Sequence, residues 1–191
     1  TLAIWLIISS LFEIFYNTFL RFKNKQNKFW ALPSRIFAQA FAHIGIAFVI
    51  IGATGGSILK EEKIQFQQLG ELIKVNDYEI EFSNVENKMI DNYRSDYATF
   101  KVYKNNEFVK NLYPEKRYYN TGKQVTTEAA IHSTLFGDIY IAIGERNESF
   151  DNIQSWTTRI WFNPFIIWIW AGVFLMASGG MISLLKSYKK I

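Results

Sequence analysis

The chain has 191 residues with a formal net charge of +4; 49% are hydrophobic, 17% aromatic and 20% charged, and cysteine is absent. Charge is spread unevenly: residues 36–59 and 164–185 carry none, and residues 2–20 carry Glu13 alone. This pattern excludes a plain soluble globular protein and a disordered one; the missing cysteine excludes disulfides, thiolate metal sites and a cysteine nucleophile.

In chain order, residues 1–20 are predicted to form a transmembrane helix. At about 1.5 Å per residue such a segment reaches across a hydrocarbon core of about 30 Å. It starts at Thr1, with no initiator Met and no basic n-region, so it reads as the interior of a longer multi-span protein and not as a signal peptide. Glu13 within it suits a proton path, a pairing inside a larger bundle, or a segment tilted near an interface. Residues 21–35 form a basic linker with Arg21, Lys23, Lys25, Lys28 and Arg35 and no acid. Juxtamembrane cations of this kind set topology, and no nucleic-acid partner is expected.

Residues 36–59 are predicted to form the second transmembrane helix, with His43 inside it in Phe41-Ala42-His43-Ile44-Gly45. An ionisable side chain at that depth is costly and faces a partner, a cavity or a cofactor. Neutral imidazole ligates haem iron; an interhelical hydrogen bond serves equally. Ala40 and Ala47, at i−3 and i+4, leave room for a flat macrocycle or for another helix. Gly52 and Gly56 form a GxxxG, a weak packing signal.

From residue 60 to residue 163 the period changes to two, as in Tyr78-Glu79-Ile80-Glu81-Phe82. Seven to nine short strands are expected, near 64–69, 78–85, 97–103, 107–113, 115–119, 126–132, 138–143 and 156–162, with turns at Asn76-Asp77, Asn105-Asn106 and Thr121-Gly122. They suggest an antiparallel sandwich or barrel. The domain has no evident catalytic constellation. His132 reads as a surface or structural histidine. The run Pro114–Asn120 reads as a solvated edge strand, or as a site where Lys116 or Arg117 grips an anion such as a haem propionate.

Residues 164–185 are predicted to form the third transmembrane helix, and residues 186–191 a basic tail with Lys186, Lys189 and Lys190. Trp161, Trp168 and Trp170 near its start fit an interfacial aromatic belt or a haem-stacking platform. The positive-inside rule places linker and tail on the cytoplasmic or matrix side, and the N-terminus and middle domain on the other. The fold class is therefore a membrane protein of three transmembrane α-helices, with an all-β extracytoplasmic domain inserted between the second and third.

The ordered motifs Ala42-His43-Ile44-Gly45, Asn92-Tyr93, Tyr113-Pro114-Glu115-Lys116-Arg117-Tyr118-Tyr119-Asn120, Thr127-Glu128-Ala129-Ala130-Ile131, Asp138-Ile139-Tyr140 and Pro164-Phe165 followed by Trp168-Ile169-Trp170-Ala171-Gly172 resemble the C-terminal part of the CcmF family, the haem lyase subunit of cytochrome c maturation. The resemblance covers about residues 36–185, with the first span as well, and implies a multi-pass protein of the bacterial inner membrane, or of the mitochondrial inner membrane. It implies covalent attachment of haem to apocytochrome c, with a haem chaperone and apocytochrome-presenting proteins as partners, and membrane lipid around the spans. By the same resemblance His43 is one of two axial ligands to the iron of a haem b. The second ligand, the tryptophan-rich haem-handling segment and two externally facing histidines belong to upstream parts that nothing here resembles, so no catalytic residue is assigned. A haem or solute transport segment and a membrane-anchored docking module are the competing functions.

Overall fold

The computed structural model describes residues 1–23, 33–148 and 154–188. Lys25, Lys28, Lys189 and Lys190 of the predicted basic segments lie outside the described residues. The elements are α1 (Leu2–Lys23), α2 (Ser34–Ile58), β1 (Glu61–Gln68), β2 (Leu72–Val75), β3 (Tyr78–Ile90), β4 (Tyr93–Lys104), β5 (Glu107–Leu112), β6 (Glu115–Tyr119), β7 (Val125–Glu128), β8 (Ala130–Ser133), β9 (Gly137–Glu148), β10 (Gln154–Pro164) and α3 (Ile166–Tyr188). They form two compact units, a helical one and a strand unit at Leu59–Pro164.

The three helices are each long and apolar enough to cross a membrane. Hydroxyl side chains of α1 bond to their own helix: that of Ser10 donates to the Leu6 carbonyl at 2.8 Å and that of Thr18 to Ile14 at 2.7 Å. α2 and α3 meet antiparallel along small residues two turns apart. A methyl group on Gly45 would lie 2.6 Å from the Gly172 carbonyl oxygen, and one on Gly179 would lie 2.7 Å from that of Ala38. One on Gly52 would lie 2.9 Å from the Phe165 carbonyl oxygen. Small residues at such spacing let helix backbones touch, which is how helices associate where lipid gives no hydrophobic drive. The stripe is thus Ala38, Gly45 and Gly52, with Gly55 also buried, and not a lone GxxxG. Phe165 turns the chain into α3 at φ 60°, a left-handed conformation that costs a non-glycine residue about 1–2 kcal/mol. Its ring lies where a side chain on Gly55 would be, and its carbonyl accepts the Trp168 N–H at 3.0 Å.

The strand unit has two antiparallel sheets. One has the order β1-β10-β9-β8; the other runs β2-β3-β4-β6-β7, with β5 pairing the far half of β4. Their facing surfaces share one apolar core, where Phe82 stacks on Phe100 at 4.7 Å and Trp156 meets Phe82 edge-on at 5.6 Å. The predicted all-β domain is therefore a sandwich. Asn105 and Asn106 both take positive φ, which the two-residue β4–β5 hairpin requires.

Two details differ from the sequence reading. The strand expected at 126–132 is two strands, β7 in one sheet and β8 in the other, with Ala129 at the crossing. β2 was not anticipated, because its four residues, Leu72 to Val75, are too few to show a period. Trp161 lies in β10, within the strand expected at 156–162, edge-on to Tyr140 at 4.8 Å.

Candidate functional site

His43 lies near the middle of α2, half-buried. Counting about 100° per residue, it projects about 160° away from the Ala38–Gly45–Gly52 stripe that meets α3. Its neighbours on that side, Ala40 and Ala47, are 1% and 0% exposed. α1 is the other helix packed on α2, so it covers them. Of the two approaches that the small residues permit, the structure contains the helix–helix one. His43 sits at the flank of that contact, between the buried alanines and the exposed Ile46. Among the described residues its imidazole has no hydrogen-bond, ionic or ring partner. A single nitrogen donor in an apolar span, uncommitted to protein, fits one axial position of a haem iron.

Glu13 lies half-buried on α1, where its backbone carbonyl accepts the Asn17 side-chain N–H at 2.8 Å; its carboxylate pairs with no described residue. The structure does not join Glu13 to His43. Trp168 packs on Phe48 of α2 at 5.0 Å, whereas Trp170 is 63% exposed, as a lipid-facing side chain would be.

The Pro114–Asn120 run is not an edge. Its strand β6 lies between β4 and β7. Lys116 is buried and its Nζ is 3.2 Å from Glu145. Arg117 pairs with Glu115, and lies 3.7 Å from Glu128. The Arg117 guanidinium, aided by the Ser95 hydroxyl at 2.5 Å, holds the Glu115 carboxyl below the usual range against the opposing effect of burial. Both cations proposed for a propionate thus already have carboxylate partners. His132 sits on β8, half-buried, its pKa lowered by burial and then by the charge of Lys110. No cluster of three metal-ligating side chains occurs among the described residues.

Sequence reasoning missed a second site in the sandwich, a cleft lined by Arg94, Asp96, Tyr118, Glu145, Arg146 and Trp156. The signal was present: on β4 the inward positions Ala98, Phe100 and Val102 are continued toward the N-terminus by Asp96 and Arg94. Charges at inward positions are where an apolar core ends.

The family model described as the CcmF C-terminal beta-sandwich matches residues 58–164. The chain is 35% identical over 143 residues to the cytochrome c-type biogenesis protein CcmF of Escherichia coli (strain K12), covering 75% of this chain and 22% of that protein. It is 33% identical over 183 residues to the cytochrome c-type biogenesis protein ccl1 of Rhodobacter capsulatus, covering 96% of this chain and 27% of that one. The chain thus spans about a quarter of the length of these relatives. A solved structure of the cytochrome c heme lyase CcmF shares its fold, with a TM-score of 0.60 at 15% identity over 78% of this chain and 24% of that one.

Proposed function

The chain belongs to the CcmF family of cytochrome c-type biogenesis proteins, and from that premise we propose that it is the C-terminal part of a haem lyase subunit in which His43 is one axial ligand of a membrane haem b. The observation that carries the proposal is the uncommitted imidazole of His43 within an apolar span, in the Ala42-His43-Ile44-Gly45 context. An imidazole left facing hydrocarbon is unfavourable, and an iron centre removes that cost. A haem b bound there would supply a one-electron carrier. His43 contributes a neutral nitrogen on a helix backbone that is locked by its contacts with α3, and Ala40 and Ala47 let α1 pack closely beside it. The second ligand and the lyase chemistry belong to the remainder of the parent protein. The thiols that receive haem would come from apocytochrome c, which accords with a cysteine-free chain.

In this reading the parent acts in a bacterial inner membrane or a mitochondrial inner membrane, with the sandwich on the periplasmic or equivalent side. A haem chaperone and an apocytochrome-presenting protein are its partners. The test is His43→Ala in the full-length parent. Reduced cytochrome c yield together with reduced bound haem is expected. Normal haem content in a correctly inserted variant would remove His43 from the ligand role.

A further inference from the structure

At one end of the sandwich the core opens into a cleft of about 680 Å³ between the two sheets, within the size range of ligand sites. Its acids are already engaged: Tyr118 donates to Asp96 Oδ2 at 3.2 Å, and the buried Lys116 reaches across to Glu145 at 3.2 Å, tying one sheet to the other. Its two arginines are held differently. The Arg94 guanidinium lies 4.7 Å from the centre of the Tyr118 ring, and that of Arg146 lies 5.7 Å from Trp156. Neither forms an ion pair among the described residues. A guanidinium held over an aromatic ring and not paired with an acid keeps N–H donors for a ligand, and a carboxylate is one group that matches its fork.

A second observation concerns the backbone. β8 pairs with β9 only from Ala130↔Ile141 to Ser133↔Asp138. From residue 142 to residue 148, β9 therefore has no ladder partner on the side away from β10 among the described residues; Ala142 and Ile143 are buried there, with β6 and β7 packed beside β9, and the edge is exposed at Glu145 and Arg146. An unpaired strand edge offers alternating N–H and C=O groups to an extended chain, which a small acid cannot use.

We propose that this cleft binds an acidic peptide segment, with side-chain carboxylates on Arg94 and Arg146 and its backbone along the free edge of β9. The proposal does not rest on haem ligation by His43.

The test is fluorescence anisotropy of a labelled peptide alternating glutamate and leucine, titrated with the detergent-purified full-length parent. Saturable binding is expected, weaker at about 0.3 M than at about 0.05 M salt. Replacing each glutamate of the peptide by glutamine should weaken binding at least about tenfold, the scale of losing charge-assisted hydrogen bonds. The double variant Arg94→Gln/Arg146→Gln should do the same. Arg159→Gln, on the outer face of the four-stranded sheet, should leave it unchanged. The glutamine peptide on the unaltered protein keeps the test valid if the double variant misfolds. Equal binding of both peptides, equal loss in Arg159→Gln, or full competition by free glutarate at the peptide's own concentration would overturn the proposal.

Discussion

The two units of this chain are held together by opposite means. In the sandwich the contacts are made by the largest side chains, with Phe82, Phe100 and Trp156 meeting between the sheets. Between α2 and α3 the contacts are made where side chains are missing, at Gly45, Gly52, Gly172 and Gly179. The reason is the solvent. Water rewards each buried apolar area by about 25 cal/mol per Å², whereas lipid tails are as apolar as leucine and reward only close approach.

Removing a large ring should therefore hurt one unit, and adding a small group should hurt the other. Phe82→Ala should destabilise the sandwich by about 3–5 kcal/mol, read by a thermal or denaturant transition; a loss below 1 kcal/mol would mean the core is not the source of its stability. Gly45→Val should cost about 1–3 kcal/mol through overpacking against α3, read as reduced helix-pair stability in detergent. Gly180→Ala, where an added methyl meets nothing, should cost nothing. Equal losses at positions 45 and 180 would break the comparison.

Much of this contrast is legible in the sequence, and the limits are physical. Spans stand out because a charge-free run has no soluble alternative of that length. Strands stand out because Tyr78 to Phe82 alternates strictly, and Asn105-Asn106 marks the β4–β5 hairpin by tolerating positive φ. Sheet membership does not stand out. Nothing between Thr126 and His132 marks the point where the chain changes sheets, and β6 looks like an edge until its partners on both sides are known. Such pairings depend on residues far away in sequence. His43 is conspicuous as a polar residue in an apolar run. The sandwich cleft is not, because its two arginines lie on strands far apart in sequence and only the fold brings them together.

Two smaller effects sharpen the electrostatics of the sandwich. The Glu115 carboxyl titrates below its ordinary value of 4.5 when folded, so its contribution to stability is complete above that value and is lost as pH falls through the folded pKa. Arg117→Gln should flatten this acid limb of the Tm profile; an unchanged limb would deny the Arg117–Glu115 pair its role. His132 is depressed below 6.5, so the unfolded chain takes up its proton first and stability declines slightly as pH drops from 6.5 toward the folded value. His132→Gln should remove that slope alone, and its persistence would place the titration elsewhere.

The most direct test of the functional account is a reduced-minus-oxidised absorption spectrum of the detergent-purified full-length parent, beside His43→Gly with and without added imidazole. The account predicts a b-type signal in the parent, its loss in the variant and its return with imidazole. A b-type signal undiminished in the variant, or a folded parent with no haem signal, would contradict it.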